Sequence, residues 1–388
     1  MDTLDHIYLD HAATTPVDPA VVEAMLPVYR EIFGNPSSIH YFGREARKLI
    51  EDAREVIAAE IGATPKEIIF TSGGTESDNA ALIGAAHARQ ALGRHIITTK
   101  IEHHAVLHTC EHLEKEGFDV TYLDVDQKGR ISLDAFKNAL RPDTILVSIM
   151  YGNNEVGTLQ PIKEIASLLK GTNALFHTDA VQAFGLEAIN VRDIGVDLMS
   201  ITAHKFNGPK GVGFLYIREG VLLETYQHGG EQERKRRAGT HNVPGIVGMA
   251  KAVKLVSENR EEKKQMMYRL RQRMLDRLTE EGIDFAINGD LENGLAHILN
   301  LYFPGTRVEA LLSALDLAGV AVSSGSACTA GSVEPSHVLT AMFGSDAPQA
   351  KSSLRISFGL YNTEEQVETA ARIIAKTVSG WQKPKHSG

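Results

Sequence analysis

The chain has 388 residues, of which 43% are apolar and 23% are charged, and its formal net charge is -9. These values are typical of a globular protein that has a large domain and a smaller one. The negative charge argues against nucleic acid or an anionic membrane as the main partner. Two distant cysteines, an acidic start without a signal sequence, and the lack of a membrane-spanning apolar run together predict a cytoplasmic protein.

Short apolar strands alternate with helices through the first half of the chain. The segments with strand character are 67–70, 95–99, 118–125, 145–150, 174–178 and the run that starts at Val196. Repeated strand–helix units predict an α/β fold, with a mostly parallel sheet and helices on both faces. In such a sheet the loops that follow the strands converge on one rim, so residues on those loops are candidates for one site.

Several residues that could carry chemistry follow these strands. Gly73, Gly74 and Thr75 open a helix, where free N–H groups and a hydroxyl could bind a phosphate. That signal is weak by itself, because a plain capped helix with a glycine turn has the same pattern. The other candidates on the same rim are His103, Asn154, Asp179, Gln182, Thr202, His204 and Lys205.

Lys205 stands where an apolar strand ends in small and polar residues. Burial there would lower the pKa of the amine, and a neutral amine captures aldehydes as a Schiff base. A solvated lysine at a strand end is the ordinary alternative. Asp179, 26 positions earlier, favours the Schiff-base interpretation of Lys205 over the solvated one. Its carboxylate could hold a pyridinium nitrogen protonated, and a protonated ring withdraws electrons from a bound substrate.

Two other patterns have ordinary explanations. His104, His108 and His112 recur every fourth residue, but no Glu or Cys stands at ligand spacing, so solvated or core-edge histidines are favoured over zinc. The basic cluster 234–237 is short and flanked by acids, which favours a solvated loop over a nucleic-acid site. We therefore expect no resident metal ion and no nucleic-acid partner.

A charged helical stretch from Val243 to about Glu280 separates two parts of the chain. We predict a large domain over residues 16–258. Residues 1–15 and 259–388 are predicted to form a smaller α+β domain.

Cys328 lies among small residues, Ser323 to Ser332, within a segment of about 323–350 that is rich in Gly, Ser and Ala. Structural cysteines usually sit among apolar neighbours, which is the pattern around Cys110. An accessible thiol in such a segment is suited to carrying sulfur, since its thiolate is the attacking form.

The motifs of this chain, taken together, resemble one family over nearly its whole length. They are 9–16, 34–38, 71–76, 153–157, the lysine motif at 202–205, 237–240, 324–328 and 354–357. In this order they resemble the NifS/IscS-like cysteine desulfurases, pyridoxal-phosphate enzymes of the class V aminotransferase group. The resemblance implies the fold-type-I architecture of pyridoxal-phosphate-dependent transferases.

The resemblance also implies roles for individual residues. Lys205 would bind the cofactor's aldehyde and shuttle the substrate's α-proton, and His103 would stack on the ring and assist proton transfer. Arg355 and Asn154 would bind the substrate, with Asn35 a weaker candidate for its carboxylate. The remaining cofactor contacts would come from Asp179 at the ring nitrogen, Gln182 at the phenolic oxygen, and Gly74, Thr75, Thr202, His204 and the partner subunit's Thr240 at the phosphate.

The implied reaction removes sulfur from L-cysteine. The Cys328 thiolate would take the sulfur as a persulfide, L-alanine would be released, and the persulfide would pass to an acceptor protein. That acceptor would be an iron–sulfur scaffold or a tRNA-thiolation enzyme, so any iron–sulfur contact would be a passing one at Cys328. A homodimer is expected. Selenocysteine lyase, another class V aminotransferase reaction, and a scaffold without turnover are the alternatives.

Overall fold

The computed structural model describes residues 6–325 and 335–382. Its main sheet has seven strands in the order β2-β8-β7-β6-β5-β3-β4. The strands are β2 Ile68–Thr71, β3 His95–Thr99, β4 Asp119–Leu123, β5 Thr144–Ser148, β6 Leu175–Asp179, β7 Leu198–Thr202 and β8 Gly213–Ile217. Only β8 runs against its neighbours, so the sheet is mostly parallel, as predicted.

Helices cover this sheet because each βαβ crossover returns the chain through a helix. The helices of this part are α1 Pro19–Glu31, α2 Tyr41–Glu60, α3 Gly74–Arg89, α4 His104–Lys115, α5 Leu133–Ala139, α6 Ile162–Leu168, α7 Val191–Ile194, the turn α8 Gln232–Lys235 and α9 Val243–Glu258. Strands β2, β3, β5, β6 and β7 all end at the same edge, so the loops after them meet there.

A smaller set of elements packs beside the main sheet. Its strands are β1 Ile7–Tyr8 paired with β11 Val320–Ala321, and β9 Ala286–Asn288, β10 Ile298–Tyr302 and β12 Ser353–Ser357 in an antiparallel sheet. Its helices are α10 Arg260–Glu280, α11 Val308–Leu317, α12 His337–Phe343 and α13 Glu364–Ser379. The antiparallel strands β10 and β12, together with α10, α11 and α13, surround a hydrophobic cluster of their own, which contains Leu9, Met274 and Ile356. The domain limits 16–258 and 1–15 plus 259–388 stay a prediction.

The structure corrects one helix. The predicted continuous stretch from Val243 to Glu280 is two helices, α9 and α10, separated at Asn259, whose backbone leaves the helical region at φ -133°. Sequence periodicity missed the break because the charged residues on both sides favour helix equally. Within the described parts of the chain, no helix has both the length and the apolar character that crossing a bilayer requires.

Candidate active site

The strand ends at one edge of the main sheet form a cleft with about 620 Å³ of empty space. We call it the deep cleft. Its wall contains nearly every cofactor residue predicted from the sequence, although these residues are spread along the chain from Gly74 to Lys205. The predicted residues that line it are Gly74, Thr75, His103, Asn154, Asp179, Gln182, Thr202, His204 and Lys205.

The start of α3 forms one end of the deep cleft. Gly73 caps the helix with a φ of 153°, a backbone conformation that residues with a Cβ rarely adopt. A Cβ on Gly74 would come within 3.0 Å of the Val181 side chain. The glycines thus leave room at a helix terminus whose first amides have no partner within the helix, and Thr202 lies beside them. This end of the cleft is built to accept an anion.

Lys205 ends a short 3-10 turn, Ala203–Lys205, that follows β7 directly. Its Nζ donates to the carbonyl oxygens of Ala12 at 2.6 Å and Ala13 at 2.8 Å. Burial, and then the positive charge of Arg355, lower the pKa of Lys205 from 10.5 to about 8. A considerable fraction of this amine is therefore neutral near physiological pH, which is the nucleophilic form.

Three carboxyl groups are buried close to one another beneath the cleft. Burial raises the pKa of Glu102 to about 8, and burial together with the charge of Asp179 raises the pKa of Asp78 well above its usual range. Asp179 is raised only to about 6, because a hydrogen bond from the Val181 N–H and the nearby Lys205 favour its anion. At neutral pH Asp179 is therefore the ionised member, positioned to pair with a cationic ring nitrogen.

Gln182 lies between the main sheet and the smaller set of elements. Its Nε2 donates to the Ala12 carbonyl at 2.9 Å, and its Oε1 lies 3.3 Å from Nε2 of His297. The residue is only 8% exposed, and its second N–H makes no hydrogen bond to another described residue. The amide is thus held at both ends before any ligand arrives.

His103 is the N-cap of α4 and accepts a hydrogen bond at Nδ1 from the Ala105 N–H, at 3.1 Å. Desolvation in the cleft wall, followed by the charge of Lys205, lowers its pKa to about 4. The ring is therefore neutral at physiological pH, and because Nδ1 accepts, the proton is on Nε2. Desolvation likewise lowers the pKa of His204 to about 4.

A second, wider cleft adjoins the first and has about 1330 Å³ of empty space. We call it the outer cleft; it shares His103, Asn154 and Lys205 with the deep cleft. Arg355 on β12 borders it, pairs with Asp10 at 2.7 Å and donates to the Asn154 carbonyl at 3.1 Å. Both the Nε of Arg355 and the Oδ1 of Asn154 are buried without a hydrogen-bond partner among the described residues. The hydrogen-bonding capacity of these two atoms is therefore unused by the described residues.

Some predicted site residues are not in either cleft. Thr240 and Asn35 are solvent-exposed in this chain, and Asn35 uses its Oδ1 to accept the Ser37 N–H. Cys328 lies outside the described residues, although Ser323 to Gly325, which precede it, border the outer cleft. Cys110 is fully buried, and burial raises the pKa of its thiol.

The histidines of α4 do not form a metal site in the described residues. The rings of His104 and His108 are stacked with centroids 5.0 Å apart, and His112 pairs with Glu116 at 3.2 Å. Among residues 6–325 and 335–382, no three His, Cys, Asp or Glu side chains are arranged to hold an ion.

Sequence reasoning missed two residues that touch this site. Asp10 stands in the 9–16 motif, but nothing in the sequence connects it to Arg355, which is 345 positions away. His297 directly precedes β10 and reaches Gln182 across 115 positions. The only sequence feature that marks Asp10 and His297 is that each is a polar residue next to an apolar strand. That feature is too common in proteins to predict a site residue.

The aminotransferase class-V family model matches residues 7–369. A Bacillus subtilis (strain 168) protein, provisionally named cysteine desulfurase IscS 1, is 64% identical over 97% of this chain and 99% of its own length. Cysteine desulfurase IscS of Dictyoglomus turgidum is 50% identical over 96% of this chain and 94% of its own length.

Solved structures agree with these relatives. A NifS-like protein superposes with a TM-score of 0.91 at 42% identity, covering 97% of this chain and all of that one. SspA, solved in complex with cysteine, gives a TM-score of 0.81 at 39% identity over 92% of this chain and 99% of that one. The chain therefore belongs to the aminotransferase class-V family and, within it, to the cysteine desulfurases.

Proposed function

We propose that this protein removes sulfur from L-cysteine, releases L-alanine and holds the sulfur as a persulfide on Cys328. One observation carries the proposal: Lys205, an amine of lowered pKa, lies in one cleft with the ionised Asp179 and shares the adjoining cleft with Arg355. The relatives named cysteine desulfurase, and the cysteine-bound structure among the neighbours, support the choice of substrate.

Pyridoxal phosphate is the cofactor of this family, and the residues of the deep cleft fit it. The space beside Gly74 at the start of α3, with Thr75, Thr202 and His204, suits the phosphate. Asp179 suits the ring nitrogen, and the free N–H of Gln182 suits the phenolic oxygen. When bound, the cofactor withdraws electrons from the α-carbon of the amino acid.

The chain's own groups have distinct tasks around it. Lys205 holds the aldehyde in the resting enzyme and, once released, moves the α-proton of the substrate, for which a pKa of about 8 is suited. Neutral His103 borders the same cleft and would lie beside the cofactor ring, where its Nε2–H can donate in proton transfer. Arg355, which lines the outer cleft, binds the substrate carboxylate, with Asn154 beside it.

The sulfur transfer itself belongs to Cys328. Its thiolate attacks the sulfur of the substrate, so a sulfur–sulfur bond forms as the carbon–sulfur bond breaks. The electron pair of the broken bond remains with the carbon, which gains a proton and leaves as L-alanine. An acceptor protein, either an iron–sulfur scaffold or a tRNA-thiolation enzyme, then takes the sulfur from the persulfide. We place this chemistry in the cytoplasm.

We also propose a homodimer. Five large apolar side chains on α1, the start of α2 and the loop between them are exposed, with Phe33 75% exposed and Ile39 90% exposed: Tyr29, Phe33, Ile39, Tyr41 and Phe42. Phe33 and Phe42 stack on each other with ring centroids 5.3 Å apart. An apolar surface of this kind is typical of a subunit interface.

In that dimer Thr240, which is exposed in this chain, is proposed to reach the phosphate end of the partner subunit's deep cleft. Sedimentation equilibrium tests the assembly. The double variant Phe33→Asp/Ile39→Asp should sediment as a monomer, whereas Leu317→Asp, at an exposed apolar residue on α11, should still sediment as a dimer. A monomeric wild-type protein would contradict the proposal.

The decisive experiment on activity uses the purified protein loaded with pyridoxal phosphate. Incubation with L-cysteine and a thiol reductant should release sulfide and L-alanine in equal amounts. Cys328→Ala should keep the cofactor's yellow absorption band but release no sulfide, while Cys110→Ala, at the buried cysteine, should stay active. Normal sulfide release from Cys328→Ala would refute the role of that thiol. Parallel assays with selenocysteine measure the alternative activity.

A further inference from the structure

We propose that His297 is a positioning residue, which acts through Gln182 on the phenolic oxygen of the cofactor. The inference rests on the proposed function only in taking the deep cleft to hold pyridoxal phosphate. His297 comes from the antiparallel sheet, directly before β10, and its ring crosses to a side chain that follows β6 of the main sheet. The proposed reaction assigns no task to this buried histidine.

The protonation of His297 follows from its surroundings. The residue is 8% exposed, and burial, followed by the positive charges near it, lowers its pKa to about 3. The groups that contribute those charges are His11, Arg355, Lys205 and Arg271. A neutral imidazole has one N–H, and the Gln182 oxygen can only accept a hydrogen bond, so the 3.3 Å contact puts the proton on Nε2.

This contact decides how the Gln182 amide is oriented. The Ala12 carbonyl is an acceptor only, so the amide nitrogen must face it, at 2.9 Å. The amide oxygen then faces His297, which supplies the matching donor. In the flipped orientation the amide oxygen would face the carbonyl of Ala12, and two acceptors would repel each other. These two hydrogen bonds together hold the amide in one orientation.

The second N–H of the same amide remains for the deep cleft, which Gln182 lines. A hydrogen-bond donor next to the phenolic oxygen stabilises the oxygen anion most when the chromophore has lost its neighbouring proton, because the full negative charge is then on oxygen. Fixing the donor therefore lowers the pH at which the bound chromophore deprotonates. A loose or flipped amide would let that pH rise.

The test is a pH titration of the visible absorption band of the loaded protein, measured without substrate. His297→Leu should move the midpoint up by about half to one pH unit, a threefold to tenfold change in proton affinity. His297→Gln places an N–H donor at a similar reach and should keep the midpoint near that of the wild type. If His297→Leu does not retain the cofactor, His297→Met, another apolar side chain without a donor, takes its place.

A double-mutant cycle shows whether the effect passes through Gln182. Gln182→Leu should raise the midpoint, and adding His297→Leu to it should raise it no further, because the coupled effects are not additive. His95→Gln is the control: His95 is a buried histidine at the opposite end of β3, bonded to Thr144 and Thr121. It should leave the midpoint unchanged.

Two results would overturn the inference. One is an unchanged midpoint in His297→Leu. The other is an unchanged midpoint in Gln182→Leu, which would show that the Gln182 amide does not influence the chromophore. Neither result depends on sulfide release, so the inference and the desulfurase activity fail separately.

Discussion

The deep cleft and the outer cleft share three residues but are built in different ways. The deep cleft collects the ends of parallel strands, and desolvation sets its chemistry, with pKa values of about 8 for Lys205, about 6 for Asp179 and about 4 for His103. The outer cleft is held by pairing across distant segments, chiefly Arg355 with Asp10. Substitutions in the deep cleft should therefore mainly lower kcat, whereas substitutions in the outer cleft should mainly raise KM.

The largest expected effect is at the centre of the deep cleft. Lys205→Ala should lower kcat by roughly a thousandfold or more, because both the anchor of the cofactor and the group that moves the α-proton are lost. Borohydride treatment should also no longer fix the cofactor to the protein, as measured by mass spectrometry. The exposed Lys210→Ala is the matched control and should behave as the wild type. Retained turnover in Lys205→Ala would exclude this lysine.

In the outer cleft the expected loss is smaller and falls on KM. Arg355→Lys should raise KM for L-cysteine by about ten- to a hundredfold and change kcat much less, since one ammonium cannot serve Asp10, the Asn154 carbonyl and a carboxylate together. Asp10→Asn should raise KM less, because the guanidinium keeps its charge and loses only its orientation. A fall in kcat with constant KM in Arg355→Lys would contradict the contrast between the clefts.

The lowered pKa of Lys205 predicts a pH dependence for cofactor capture. Below about pH 8 the amine is mostly protonated, so the rate at which the cofactor-free protein binds pyridoxal phosphate should rise about tenfold per pH unit. Above that value the rate should level off. Stopped-flow absorbance measures it. A rate that continues to rise to pH 10 would mean that the cleft does not desolvate the amine.

The smallest expected effect concerns stability beneath the deep cleft. The pKa of Glu102 is raised from 4.5 to about 8 by burial, so the folded state binds its proton more tightly than the unfolded state does. Its contribution to stability is fully present below about pH 4.5 and is lost as the pH rises through 8. Glu102→Gln keeps the oxygen that accepts from Thr99 and Met150.

Calorimetry should therefore show similar melting temperatures for Glu102→Gln and the wild type near pH 4.5, where the carboxyl is still largely protonated in both states. The variant should melt a few degrees higher, ~3 °C, at pH 9. A wild type that melts above the variant at pH 9 would show that Glu102 is stabilised as an anion.

The contrast between the clefts also explains what could be predicted from the sequence. Alternating strands and helices predict a parallel sheet, and a parallel sheet brings Gly74, His103, Asp179 and Lys205 to one edge. The partners of Arg355 and Gln182 could not be predicted, because Asp10 and His297 reach them only through the packing of separate sheets. The break at Asn259 was missed for a related reason, since local propensity continues through it.

The pairing of Arg355 with Asp10 has a consequence for what enters the outer cleft. While the carboxylate of Asp10 rests on the guanidinium, the two charges cancel, and a small mineral anion such as chloride or sulfate finds little attraction there. A zwitterionic amino acid brings a cation for Asp10 as well as an anion for Arg355. We expect the outer cleft to bind inorganic anions weakly and to favour zwitterionic ligands, which carry both a positive and a negative charge.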